Sequence, residues 1–340
     1  MNRFASMSVL SFGAVVINTV PVWIGALGDY PALGDGLAGA FASLVLLSAS
    51  ITCAGVGALK PSSAARYMVA PALALLTFGQ MLPAVVLAAI CVGLGAALGA
   101  LTRAALRAIA LSDNGLQTIS FAISLGLAAS LVFYLLLPAL GVSPLLLLLI
   151  LSLPLLLLRF ASIEADAPDY RRSYPVGPPI RFIGFFVMMG AYWTFLDLFG
   201  VRFNDENAVN LWLLASLVSG ACGSFLAARL KKSWHAKAQA LALVVAAATG
   251  AASYVAPDLL IFGMTILANG FALFLFFPLY LLRAGEQMPQ AMAGYLVGFS
   301  AGGLAGALLV EIGGYQTLAA AILASGLLSV IRRPNRSLRQ

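Results

Sequence analysis

The chain has 340 residues, 62% of them hydrophobic, and only 31 are charged (19 Lys/Arg plus 12 Asp/Glu). A soluble domain carries about 25% charged residues, so the 9% found here cannot cover a water-facing surface and the apolar excess must face lipid. Disorder is excluded by the same numbers, and at roughly 28 residues per crossing and connection the length accommodates about twelve membrane helices with little left for an extramembrane domain.

In chain order, apolar stretches long enough to cross the hydrocarbon layer fall at 5–27, 36–58, 66–80, 82–106, 116–139, 143–159, 180–200, 208–229, 238–255, 258–282, 289–312 and 315–331. The third and fourth belong to one apolar run, 66–106, interrupted by Gly79-Gln80-Met81-Leu82-Pro83. That run is too long for one crossing and divides there, with the proline near the start of the second helix. The remaining turns carry recognisable breakers, among them Gly28-Asp29-Tyr30-Pro31, Gly141-Val142-Ser143-Pro144, Pro257-Asp258 and Gly313-Gly314. The first stretch follows Asn2-Arg3 like a signal peptide, but it exceeds a signal-peptide core and eleven more spans follow, so it is read as the first span.

With the N-terminus in the cytoplasm, 18 of the 19 basic residues lie inside, from Arg3, Lys60, Arg66, Arg103, Arg107 and Arg159 to Arg332, Arg333, Arg336 and Arg339; Arg202 alone lies outside. The positive-inside bias thus puts both termini in the cytoplasm of a multi-pass protein of the plasma membrane, the inner one in a bacterium. The net charge of +7 is a topology signal and calls for no nucleic acid. The longest connection, 161–179, holds Glu164, Asp166, Asp169, Arg171, Arg172 and four prolines. It divides the spans six and six, giving an N-terminal bundle (1–160), a cytoplasmic linker (161–179) and a C-terminal bundle with a short tail (180–340). Short basic connections follow both the second span (Lys60 to Arg66) and the eighth (Arg229 to Lys237), as a duplication would place them, or as the positive-inside bias alone would. Cys53, Cys91 and Cys222 lie in apolar runs without a C-x-x-C pair, and His235 sits among lysines, so neither a disulfide framework nor a metal site is expected.

Twelve spans in two sixes with a polar central loop resemble the major facilitator superfamily of secondary transporters. The stretch GYLVGFSAGGLAGALLVEIGGYQTL (294–318) is similar to that superfamily's eleventh helix, GLGAALGALTRAALRAIALSDNGLQTISFAISLGLAASL (93–131) to its fourth and fifth, and VPVWIGALGDYPALGDGLAGAFASL (20–44) to its first and second. The cytoplasmic signature G-x-x-x-D-R/K-x-G-R-R/K is broken: Gly55 is followed by Leu59 at the aspartate position, then Lys60, Ser62 and Ser63. The acidic partner of the usual charge latch is therefore missing, and the fifth span lacks the glycine-proline series of many antiporters.

The resemblance implies that the first, seventh and tenth spans line the substrate cavity. They carry Asn18, Thr19 and Trp23; Tyr192, Trp193, Thr194 and Asp197; and Asn269. Polar groups at membrane depth are costly to expose to lipid and should face the interior or a wet cavity, so all but Asp197 are substrate-binding candidates, with Asn18 and Asn269 equally readable as interhelical hydrogen-bond donors. Pro21 removes the donor for the Ile17 carbonyl and marks a hinge. Asp197 and Glu311 are the proton-coupling candidates, since a poorly hydrated carboxylate has a raised pKa; both could also simply reach outer water. Arg103 is either a cation of the cytoplasmic vestibule or a snorkelling side chain. Gly294, Gly298, Gly302 and Gly306 stack on one helix face, a close-packing stripe that the resemblance directs toward the second span. Aromatic density in the seventh and tenth spans suits an amphipathic solute, although lipid-facing aromatics are ordinary.

The sequence therefore reads as an all-α polytopic membrane protein, two six-helix bundles, moving a small organic solute across the bilayer by alternating access, as a monomer and without a cofactor. A non-transporting receptor or helper on the same fold is the alternative; a membrane-embedded enzyme would need a catalytic or metal constellation that the sequence does not offer.

Overall fold

The structure, a computed structural model, describes residues 3–55, 64–158 and 180–331. The altered signature at 59–63, the connection at 161–179 and the basic tail from 332 lie outside the described residues. Regular structure among the described residues is helical: α1 (Arg3–Asn18), α2 (Val20–Gly28), α3 (Gly34–Ala54), α4 (Ala65–Phe78), α5 (Ala84–Ala110), α6 (Gly115–Leu140), α7 (Pro144–Leu157), α8 (Ile183–Gly200), α9 (Glu206–Ala227), α10 (His235–Ser253), α11 (Leu259–Ala284) and α12 (Met288–Ile331). Helix is the open-chain solution to lipid because it satisfies every backbone polar group within its own segment.

Seven stretches are long and apolar enough to cross a membrane, or eight with the bent pair α1–α2 as one span. One of the seven, Leu259–Val330, runs 72 residues, over three times the roughly 20 that one crossing needs. It is interrupted by the turn Gly285–Gln287 and, inside α12, by Gly313 and Gly314, where Gly314 adopts φ 69°. That conformation is open to glycine and strained for other residues, which is why the helix breaks at the predicted Gly-Gly pair. The division of the 66–106 run also falls where expected, with α4 ending at Phe78 and Pro83 capping α5. The helices α4 and α7 have 14 residues each, shorter than the apolar stretches they come from.

The described chain groups into two compact units. The first is Met1–Arg172 with Leu281–Leu296, the second Ser173–Tyr280 with Val297–Gln340. Glycine sets the packing inside each. In the first unit a methyl group added at Gly95 or Gly99 of α5 would collide with the Val45 or Ala49 carbonyl oxygen of α3, and one at Gly126 of α6 would lie 2.8 Å from the Ser11 carbonyl of α1. Ser11 also donates to the Ala122 carbonyl across that contact, at 2.8 Å.

In the second unit the stripe of α12 meets α8. An added methyl at Gly298 would lie 2.5 Å from Phe186 Cβ, at Gly302 2.5 Å from the Ala191 nitrogen, and at Gly306 2.7 Å from the Phe195 ring. The partner face is itself small, at Gly190 and Ala191, so the two backbones close on each other. Gly294 is buried one turn earlier, in the part of α12 that belongs to the first unit. There the contact with α3 is made by hydrogen bonds: Ser50 Oγ donates to the Ala293 carbonyl (2.9 Å) and Cys53 Sγ to the Pro289 carbonyl (3.3 Å). A second glycine contact in unit two joins α9 and α11, with Gly270 against the Ser216 carbonyl and Ser219 Oγ donating to the Leu267 carbonyl at 2.7 Å.

Candidate functional site

In the first unit the site is built around a broken helix. A kink was expected at Pro21; the chain instead stops α1 at Asn18 and restarts as α2 at Val20, the two meeting at 57°. Pro21 has no N–H for the Ile17 carbonyl, and the Val22 N–H turns to Thr19 O at 3.1 Å. Side chains take up two carbonyls beside the break, those of Val16 and Asn18. Trp23 Nε1 donates to Val16 O from seven residues ahead (3.1 Å), and the Tyr134 hydroxyl of α6 donates to Asn18 O (2.9 Å). Thr19 is fully buried and bonds Val15 O. Asn18 is half-buried, its Nδ2 donating to Ala14 O at 2.7 Å. Of this cluster, then, Trp23 and Thr19 hold the backbone together at the break, and Asn18 is the member with an open side.

Arg103 lies on the same face of α5 as Gly95 and Gly99, one turn further on. A methyl added at Gly55, the residue ending α3 at φ +89°, would lie 2.6 Å from the centre of its guanidinium. The cation therefore covers the C-terminal end of α3, where unpaired carbonyls concentrate partial negative charge.

In the second unit, α8 presents two chemically different faces. Tyr192 is fully buried: its hydroxyl shares a hydrogen bond with Ser253 Oγ (3.2 Å), Ser253 donates to Thr265 Oγ1 (3.0 Å), and the Tyr254 hydroxyl donates to the Tyr192 carbonyl (2.5 Å). The opposite face carries Trp193, half-buried, with Thr194 and Asp197 exposed one turn apart. Glu311, on α12, is exposed as well. Asn269 is fully buried in α11, its Nδ2 donating to the Ala246 carbonyl of α10 at 2.7 Å and its Oδ1 without a hydrogen-bond partner. The surroundings of that amide, Gly250, Met189 and Ile322, are the packed interior of the unit, so the structure gives Asn269 the interhelical role.

The aromatic residues are packed on one another. Phe182, Phe185, Phe186, Phe276 and Tyr280 form edge-on and stacked pairs 5.1 to 6.2 Å apart, all buried. A second group, Phe199, Phe203, Tyr254, Phe262 and Tyr315, closes the other end of α8, with the Arg202 guanidinium 4.5 Å above Phe199 and donating to the Ala256 carbonyl. Most of the aromatic density is therefore internal packing, neither lipid-facing nor available to a solute.

No family model matches the sequence, and no curated protein matches it. Solved structures do. The E. coli fucose:proton symporter FucP in its outward conformation superimposes over 98% of this chain and 99% of its own, at TM-score 0.72 and 12% identity. This chain has the major facilitator fold. The human organic anion transporter MFSD10 is similar over 96% of this chain and 97% of its own (TM-score 0.65, 15% identity), and a bacterial homologue of the iron transporter ferroportin over 97% and 96% (0.62, 14%).

Within the major facilitator fold, the binding candidates separate into two kinds. Asn18, Trp193 and Thr194 keep an open side. Thr19, Trp23, Tyr192 and Asn269 are enclosed and bonded to their own unit. Sequence reasoning missed Tyr134, Ser253 and Thr265, which complete these networks; each is a hydroxyl in an apolar span, the kind of signal that singled out Asn18. It also missed Ser50 and Cys53, whose importance lies in a partner about 240 residues away.

Proposed function

We propose that this protein is a secondary active transporter that moves a small organic, neutral or weakly charged solute by alternating access, with twelve membrane spans in two six-helix halves. The observation that carries the reading is the major facilitator fold over nearly the whole chain. Support for the two-halves organisation comes from packing. Counting α1–α2 as the first span and the part of α12 before Gly313 as the eleventh, spans one and five interlock through glycine as do seven and eleven, and two and four as do eight and ten. A duplicated six-helix unit accounts for both repeats.

The solute-facing residues in this reading are Asn18, Trp193 and Thr194, with Asp197 as the group that carries a proton. Engagement of Arg103 at the end of α3 and of Arg202 on its aromatic rings favours a solute without strong negative charge, because an anion would need a deep cationic clamp.

The test is flux in proteoliposomes after a thermal-shift ligand screen. Substrate-dependent flux with a KM raised about five- to thirtyfold by Asn18→Ala, Trp193→Ala or Thr194→Val supports the assignment, each lost hydrogen bond or aromatic contact being worth about 1–2 kcal/mol. Specific binding without any flux identifies a non-transporting receptor instead. Unchanged pH dependence of uptake in Asp197→Asn removes the proton assignment and leaves the carrier intact.

A further inference from the structure

The connection between α9 and α10 combines charge and ring surface in a way the transport reading does not use. Within nine residues it carries Arg229, Lys231, Lys232 and Lys237, all exposed, and the chain has no Asp or Glu between Glu206 and Asp258. Two exposed aromatic residues flank the cations, Phe225 at 43% and Trp234 at 56% exposure. The Arg229 guanidinium sits 4.9 Å from the Phe225 ring centre and the Lys237 ammonium 5.5 Å from that of Trp234. His235 Nε2 lies 3.1 Å from the Leu230 carbonyl and ties the two sides of the loop together, so that Lys231, Lys232 and Ser233 form its exposed edge.

We propose that this loop is a binding surface for anionic phospholipid headgroups. Its place is dictated by its neighbours: it joins two stretches, Glu206–Ala227 and Lys232–Ser253, each long and apolar enough to cross a membrane, and therefore lies at the bilayer boundary. At that depth a ring enters the headgroup and acyl border while a cation stays at phosphate level, which is the arrangement of both ring–cation pairs. Four positive charges without a local acid attract an anionic leaflet at about 1 kcal/mol each. A zwitterionic headgroup, carrying its own ammonium, offers the loop no net charge. The ligand is accordingly the phosphodiester of a phosphatidylglycerol-like lipid, held by Lys231 and Lys232 between the two rings.

Native mass spectrometry of the purified full chain in detergent, titrated with phosphatidylglycerol or phosphatidylcholine, tests this. Retention of phosphatidylglycerol in preference to phosphatidylcholine is expected, weakened roughly fivefold per cation neutralised in Lys231→Gln and in the pair Lys231→Gln/Lys232→Gln, and weakened also in Trp234→Ala. Because these side chains are exposed, the variants should elute and melt as the parent does, and Arg283→Gln, an exposed cation in the last turn of α11, serves as the control. Equal retention of the two lipids, equal loss in Arg283→Gln, or full competition by millimolar glycerol phosphate, which lacks acyl chains, would overturn the proposal. None of these readouts depends on flux, so the lipid surface and the transport reading stand or fall separately.

Discussion

Thr19 lies between two helices of one apolar stretch, close to the hinge expected at Pro21, and the residues around it show how a break is tolerated at membrane depth. A helix break leaves carbonyls that lipid cannot solvate, and an indole and a phenol bond two of them, Val16 O and Asn18 O. Trp23→Phe and Tyr134→Phe should therefore each destabilise the protein by about 1–2 kcal/mol, read as a lower Tm in detergent, with KM for the transported solute unchanged. A raised KM at unchanged Tm would return Trp23 to the substrate site. Gly55 makes a second residue-scale case. At φ +89°, Gly55→Ala meets backbone strain of about 1–3 kcal/mol and should lower Tm by several degrees, whereas the Arg103 guanidinium 2.6 Å from the added methyl is the end of a flexible side chain and moves aside. Gly55→Ala with Arg103→Ala should recover little of that loss, since the strain remains.

Between elements, the organising feature is which glycines are enclosed. Gly99 abuts the α3 backbone and Gly302 the α8 backbone, whereas Gly93, on the same helix as Gly99, has open space where its side chain would be. Backbone cannot swing aside as a flexible side chain can, so Gly99→Ala and Gly302→Ala should each be clearly destabilising. Gly93→Ala should be neutral or stabilise by up to about 1 kcal/mol, because alanine loses less chain entropy in a helix. Thermal unfolding of the three variants side by side checks the ordering, and equal Tm changes would contradict it. The i, i+4 glycine spacing in α12 was legible in the sequence; its partner was not, because a stripe of small residues specifies that another helix comes close without specifying which. The pair Gly95 and Gly99, a far weaker pattern, turns out to make equally close contact.

At the scale of the whole molecule, the stretch Leu281–Leu296 belongs with the first unit although its neighbours in sequence on both sides belong to the second. It is joined to α3 by hydrogen bonds from Ser50 and Cys53. Cys53 is buried under it, and Cys222 is exposed. A membrane-permeant maleimide should therefore modify Cys222 first and Cys53 slowly, with Cys53 labelling accelerated under conditions of solute turnover if that stretch leaves α3 during the cycle. Peptide mass spectrometry of timed samples measures both sites; equal rates from the outset would mean that Leu281–Leu296 does not protect the thiol.

Composition alone determined that the chain lives in lipid, and the Gly-Gly and Pro83 breakers placed two of its helix boundaries, because a local backbone preference needs no partner to act. Polar residues in apolar spans were found the same way, since their cost in lipid is independent of what they touch. The tertiary structure decided which of them are structural. Asn269, Tyr192, Thr19 and Trp23 have the same sequence signature as Asn18, Trp193 and Thr194, but the first four are enclosed and bonded within their own unit while the last three keep an open side. The partners of Asn269 and Tyr192 lie 23 and 61 residues away, and Thr19 and Trp23, whose hydrogen bonds are local, are buried by the rest of their unit, so only the packed chain decides which polar groups stay open.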